Sequence, residues 1–182
     1  MRKYNTYKEY VAHQSSKLDK MRSRIDKHDR ELEDFIHKTH KPKGRVLCLA
    51  ARLGGEIRAF KRHGCDAIGI DLNPGDDNPD VVYGDFHDIP FGCEFDYLYT
   101  NSIDHVLKLN TFFRECRRVL KPGGTFIIDI VHGKPGEYEV QETMSDKQIL
   151  KIASGYFSVK KYGTGSIRLG LLNNSYTTYY LR

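Results

Sequence analysis

The side chains that could do chemistry in this chain gather where apolar runs end. Asp71 closes the run that begins at Ala67, and Asp85 and Phe86 follow the run Val81-Val-Tyr83 after a single glycine. Asn101 and Ser102 end the run that begins at Phe95. An apolar run of this length reads as a buried parallel strand, and polar residues at its carboxyl end face a ligand crevice. A carboxylate there can accept hydrogen bonds from ribose hydroxyls, so Asp71 marks a nucleoside half-site. Asp104, His105 and His132 lie just past the fourth and fifth runs, where a second reactant would sit. Histidine titrates near neutral pH, which suits a general base.

Those groups need a scaffold, and the pattern supplies one. Residues 45–71 read as strand, small-residue turn, crossover helix and strand, with the helix over Glu56–His63. Further strands are expected at 81–83, 95–101 and 125–131, with a second helix over Leu109–Leu120. Ser145 is expected to N-cap a helix over 145–153, and Gly133–Glu137 reads as a loop. Two last strands are expected at Tyr156–Tyr162 and Ser175–Leu181, with a Gly- and Asn-containing turn region between them. The alternation gives an α/β doubly wound, Rossmann-like, mostly parallel sheet with a C-terminal antiparallel strand.

The N-terminal part is different. Residues 7–37 lack Gly and Pro, and Tyr10, Leu18, Met21, Ile25, Leu32 and Phe35 recur at helical spacing. Lys41-Pro-Lys-Gly44 then breaks the pattern. The division is therefore a helical extension at 1–43 and a sheet domain at 44–182, within one domain overall. The apolar stripe needs a surface, and the open carboxyl edge of the sheet offers one. Residues 1–40 are thus expected as a lid, with Tyr10, Gln14 and Lys17 inward.

Composition bounds the rest. At 182 residues the chain is long enough for a sizeable core. It has no run of about 18 apolar residues and no apolar signal core, so no membrane span and a cytoplasmic location are expected. Cys48, Cys65, Cys93 and Cys116 show no Cys-x-x-Cys pairing, and buried reduced thiols are expected. Residues 1–45 hold 13 Lys+Arg and 7 Asp+Glu, and the remainder 16 and 17, so the basic excess is N-terminal. That keeps a nucleic-acid partner open without favouring it over a solvated helix face. His37 and His40 have helix-like ligand spacing without a supporting carboxylate, and no metal is expected.

In order and spacing, the run at Arg45, the strand ending at Asp71, Gly84-Asp85-Phe86, the strand ending at Asn101, and Arg118-Val-Leu-Lys-Pro-Gly-Gly124 before a strand resemble the class I S-adenosylmethionine-dependent methyltransferases. The resemblance spans residues 45–131. It implies S-adenosylmethionine as cofactor, with Asp71 on the ribose, Leu72 against adenine, Asp85 on the exocyclic amine and Phe86 beside the ring. It also implies that Asn101 and Ser102 line the methyl-donor pocket. In the first turn the family shows an acidic residue and three glycines, whereas this chain has Cys48, Ala50, Arg52 and Gly54. Arg52 either turns outward or grips the carboxylate of the methionine moiety.

The reading is therefore a methyltransferase whose acceptor is unidentified, a small molecule, sugar or polymer end fitting better than a long nucleic acid. A cofactor-holding module that acts through a partner is the alternative, because the first turn departs from the pattern. An RNA methyltransferase and a nicotinamide-dependent oxidoreductase are lesser versions. The oxidoreductase is opposed by Arg52, which stands where backbone would approach a pyrophosphate.

Overall fold

The structure, a computed structural model, describes residues 4–76, 78–133, 137–138, 140, 144–169 and 172–182. Its strands are β1 (Arg45–Leu49), β2 (Asp66–Asp71), β3 (Val81–Tyr83), β4 (Phe95–Thr100), β5 (Leu120–His132), β6 (Val159–Leu169) and β7 (Leu172–Leu181). They form a seven-stranded sheet in the order β3-β2-β1-β4-β5-β7-β6. The first five pair in parallel, and β7 runs antiparallel to β5 and β6. The switch in direction between β1 and β4 opens a crevice at the carboxyl ends of the strands.

Five α-helices are described: α1 (Tyr7–Ser15), α2 (Lys17–Thr39), α3 (Gly55–Lys61), α4 (Leu109–Val119) and α5 (Asp146–Ala153). Side chains alternate across each strand, so both faces of the sheet carry a core. Leu47, Leu49, Leu98, Phe126 and Ile128 pack beneath Phe112, Phe113 and Cys116 of α4 and Ile149 of α5. Val46, Cys48, Tyr99 and Ile127 face the other way, under Ile57 and Phe60 of α3. The expected helix at 145–153 is present, with a capping box between Ser145 and Gln148.

Three boundaries differ from the pattern. β5 begins at Leu120 rather than Thr125, because Lys-Pro-Gly-Gly is absorbed as an irregularity against Phe95–Tyr97 of β4. The strand expected from Tyr156 starts at Val159, since Tyr156 and Phe157 still donate backbone bonds to Ala153 at the end of α5. The last two strands then run on through the expected turn region to Leu169 and from Leu172. Of the loop expected at 133–137, residues 134–136 lie outside the described residues.

The N-terminal segment divides in two. Met21 has non-helical angles (φ −129°, ψ 22°), a break within α2. Before it, α1 and the first turn of α2 lie over the crevice. After it, Leu32 and Ile36 join the core formed by Val46, Ala59 and Phe60. A Cβ on Gly55 would stand 2.4 Å from the backbone oxygen of Asp29, so glycine lets α2 and α3 touch. Arg58 of α3 pairs there with Asp29 and Glu33. The expectation that all of residues 1–40 form a lid is thereby corrected. With few helices covering this face among the described residues, the apolar stripe of α2 takes the vacant place beside α3.

Beneath the same face, Asp129 of β5 accepts from the Tyr99 hydroxyl at 2.9 Å and the Thr178 hydroxyl at 2.5 Å. His40, the C-cap of α2, reaches the same carboxylate at 2.7 Å, with both side chains 1% exposed. His37 instead stacks on His63 at 4.2 Å. No metal-binding group of three His, Cys, Asp or Glu side chains occurs among the described residues. Cys48, Cys65 and Cys116 are buried free thiols as expected, whereas Cys93 is exposed.

Candidate active site

The turn after β1 sets the floor of the pocket. Ala50 (φ 59°), Arg52 (φ 44°) and Gly54 (φ 81°) are all in the left-handed region. Ala50 therefore does not have the ordinary angles at which an alanine in this place would cost little. The turn follows a glycine's path with an alanine and an arginine on it. Each costs roughly 1–2 kcal/mol relative to a right-handed conformation. The path is held because Ala51 N–H donates to the Ile70 carbonyl at 3.0 Å and Gly54 N–H to the Ala51 carbonyl at 2.7 Å.

That turn presents the Arg52 N–H to Asp71. The Asp71 carboxylate accepts it at 3.0 Å on one oxygen and the Asn73 N–H at 2.8 Å on the other. Burial pushes this carboxyl up from its usual range, while the two N–H bonds and the Arg52 and Lys17 cations pull it down. Each oxygen keeps acceptor capacity, since a carboxylate offers about four lone-pair sites.

The pocket above is lined by Ala50, Arg52, Asp71, Leu72, Phe86, Ser102 and His105 from the sheet domain. All seven are sequence-derived candidates. Tyr10 and Gln14 of α1 and Lys17 at the start of α2 join them. Ser15, Leu18, Asn73 and Gly84 also line it and were not singled out for the site. Leu18 had a signal in the helical stripe. Ser15 had none, because its hydroxyl meets the Leu72 carbonyl (3.0 Å) across 57 positions of sequence.

Five other candidates fall outside the lining. Gly54 borders a neighbouring cleft with Arg22, Asp29 and Arg58. Asn101 accepts from the Ser102 hydroxyl at 3.2 Å. Asp104 is half-exposed, its nearest oxygen 4.0 Å from His105 Nε2. His132 Nε2 is engaged by the Thr177 hydroxyl at 3.0 Å, towards β7. Asp85 is already occupied. Its carboxylate accepts from the Tyr7 hydroxyl at 2.6 Å, the His87 N–H at 2.8 Å and His87 Nδ1 at 2.9 Å. Burial alone would raise its carboxyl, but the His87 and Tyr7 bonds outweigh it and hold it below the usual range. His87 Nε2 accepts from the Lys108 N–H at 3.1 Å, which leaves the ring proton on Nδ1.

Polar bonds tie α1 to the sheet domain. The Tyr10 hydroxyl donates to the His105 carbonyl at 3.0 Å and Gln14 Nε2 to the Tyr138 carbonyl at 2.8 Å. A cluster of aromatic edges, including Tyr7–Tyr10 (5.4 Å) and Tyr10–His87 (5.7 Å), fills the space between them.

One carboxyl nearby was not anticipated. Glu56 is 2% exposed and its Oε2 has no hydrogen-bond partner among the described residues. Burial pushes its carboxyl up to about 8, against the pull of the Arg52 cation.

The strand order and the carboxylate at the end of β2 define an α/β protein of the Rossmann-like class. Residues 47–128 match the family model for a methyltransferase domain. A 24-methylenesterol C-methyltransferase of Oryza sativa subsp. japonica is 30% identical over 117 residues, 55% of this chain and 32% of that protein. The chain thus spans about a third or less of the curated relatives it matches. Among solved structures, a Burkholderia thailandensis 1,6-didemethyltoxoflavin-N1-methyltransferase with bound S-adenosylhomocysteine superposes with a TM-score of 0.72. It is 16% identical and is matched over 100% of this chain and 92% of its own. A Pyrococcus horikoshii protein is 25% identical, with a TM-score of 0.58 over 97% of this chain and 100% of its own. Residues 47–128 are thus similar to a methyltransferase domain, and the fold is the one seen in the methyltransferase that binds S-adenosylhomocysteine. No helix among the described residues is long and apolar enough to cross a membrane.

Proposed function

We propose that this protein transfers a methyl group from S-adenosylmethionine to a small acceptor. The observation that carries the proposal is Asp71. Its carboxylate lies on the pocket wall, oriented by two backbone N–H groups, beside Leu72 and Phe86, two apolar walls for a purine. In this reading Asp71 holds the ribose hydroxyls and Arg52 meets the carboxylate of the methionine moiety. Ser102 lines the methyl-donor end. Asp85 reaches the adenine amine only by exchanging Tyr7, so α1 and the first turn of α2 act as a lid. Methyl transfer disperses the charge of a sulfonium, and a closed, water-poor pocket with fixed geometry can supply much of the rate. The curated relatives include sterol methyltransferases and the superposed enzyme acts on a small heterocycle, which supports a small-molecule acceptor. The three buried free thiols suit a reducing, cytoplasmic setting.

Calorimetry with S-adenosylmethionine and S-adenosylhomocysteine tests the reading. Both should bind, and nicotinamide dinucleotides should not. Asp71→Ala should weaken binding by about 2–4 kcal/mol through loss of two charge-assisted hydrogen bonds. Unchanged affinity in that variant would remove the ribose assignment.

A further inference from the structure

One buried carboxyl has no part in the site so far. Glu56 of α3 is 2% exposed, and its Oε2 has no hydrogen-bond partner among the described residues. A buried polar oxygen without a donor costs free energy that a donor would recover. The charged groups that act on Glu56 are Arg52 of the first turn, Asp29 of α2 and Asp71 of β2. Cys48 of β1 and Tyr99 of β4 feel its charge in turn. None of them satisfies Oε2. Asp29 is committed to the Gly55 N–H and to Arg58, and the Tyr99 hydroxyl donates to Asp129. Arg52 and Asp71 both line the pocket, so Glu56 sits behind that stretch of its wall.

The amino-acid end of S-adenosylmethionine is a zwitterion, with carboxylate and ammonium on one carbon. A site that fits it needs a cation and an anion side by side. Arg52 has the cation's role, and Glu56 follows it by four positions. An ammonium brings three donors and no acceptor, which suits an oxygen that lacks a donor. Burial pushes the Glu56 carboxyl up to about 8, against the pull of the Arg52 cation, so near neutral pH it holds its proton. A neutral carboxyl cannot serve as the anion of an ion pair. To pair with an ammonium it must first lose that proton.

We propose that Glu56 receives the ammonium of the bound cofactor and gives its own proton to solvent in doing so, which makes binding tighten as pH rises. The inference rests on the cofactor reading above. The carboxyl O–H bond breaks, its electron pair stays on oxygen, and the proton passes to water or buffer. The ammonium then donates to Oε2, and no covalent bond of the cofactor changes. Arg52 on the carboxylate and Glu56 on the ammonium form two opposed pairs with no net charge, which a buried site tolerates.

The test uses the full chain and three ligands. S-adenosylhomocysteine carries the whole amino-acid end. Its deaminated analogue has hydrogen in place of the amino group, and 5′-methylthioadenosine lacks the end altogether. Calorimetry near pH 7 in buffers of different ionisation enthalpy counts the protons released. An α-amino group is itself mostly protonated there, at a pKa of about 7.7–8.0. S-adenosylhomocysteine should therefore release about one proton more than either analogue, all three meeting Asp71 through the same ribose. Its preference over the deaminated analogue should grow from about pH 6 to about pH 7.5, by at most about tenfold per unit. At the upper limit it should reach at least about tenfold, as a charge-assisted bond implies. Glu56→Gln keeps the side chain's size and should remove both the extra proton and the pH dependence. The wild-type proton count decides the matter even if that variant does not fold. Equal proton counts for S-adenosylhomocysteine and its deaminated analogue, a preference that stays flat with pH, or a folded Glu56→Gln protein that behaves as wild type would each overturn the proposal. A protein that binds S-adenosylhomocysteine and methylthioadenosine with equal proton counts loses only the Glu56 assignment. One that binds neither loses the cofactor, and the assignment with it.

Discussion

The two halves of the N-terminal segment, α1 with the start of α2 before Met21 and the rest of α2 after it, are both helical, yet they are held by different physics. The first half reaches the domain through hydroxyl and amide bonds: Tyr7 to Asp85, Tyr10 to His105, Gln14 to Tyr138, Ser15 to Leu72. The second half presents Leu32 and Ile36 to the sheet, 2% and 0% exposed. Hydrogen bonds exchange readily with water and contribute about 0.5–1.5 kcal/mol net each. A fully buried Ile or Leu contributes roughly 1.5–3 kcal/mol and has no substitute in solvent. On this argument the first half should open at lower cost than the second. A segment that reads as one amphipathic stripe thus covers two different surfaces, the crevice before Met21 and the sheet face after it.

The sharpest way to break this comparison is truncation. Removing residues 1–16 should leave a cooperative thermal transition with weakened cofactor binding. Removing residues 1–40 should abolish the transition, because the Val46, Ala59 and Phe60 face loses its cover. If circular dichroism shows both truncated chains melting alike, the division at Met21 has no energetic meaning.

The next largest effect separates the halves by pH. Glu56 lies in the α2–α3 layer of the second half, and its folded carboxyl is raised from 4.5 to about 8. The proton it holds stabilises the fold fully below pH 4.5, and that contribution is lost as pH rises through about 8. The slope is at most roughly 1.4 kcal/mol per pH unit across that window. Glu56→Gln should flatten the decline in denaturation midpoint between those limits. An unchanged slope would place the titration elsewhere.

The smallest effect belongs to the first half. Tyr7→Phe removes a bond to the Asp85 carboxylate and should loosen α1 by about 1 kcal/mol, with the global melting temperature nearly unchanged. Hydrogen exchange should accelerate across residues 7–15 and not across residues 25–36. Acceleration shared by both stretches would mean that the halves open together.

What the sequence made legible was whatever repeats locally. Apolar runs placed the central strands, and the position of Asp71 at the end of one placed the pocket. Left-handed angles at Ala50 and Arg52 were hidden because neither residue advertises them as glycine does. Glu56 sits in a helical pattern where a glutamate reads as a solvent-facing residue, so its burial left no trace. Asp85 was legible as a strand-end carboxylate, but its occupation by Tyr7 depends on a residue 78 positions away. His40 and Asp129, 89 positions apart, had no local pattern to join them.

The part of α2 after Met21 also sets a timetable for synthesis. Its partners β1 and α3 emerge soon after it, but Ile167 of β6, which shares the same core, comes more than a hundred residues later. The first half of the segment waits as well, since Tyr10 meets His105 across 95 positions and Gln14 meets Tyr138 across 124. A chain whose first helices are completed by its last strands closes long loops before it is rewarded for them, and such folds form slowly. Until then the core that Leu32 and Ile36 share with β1 and α3 lacks the part that β6 supplies. The stretch that shields the finished sheet is therefore the one most exposed to chaperones, proteases and neighbouring copies while the protein is being made.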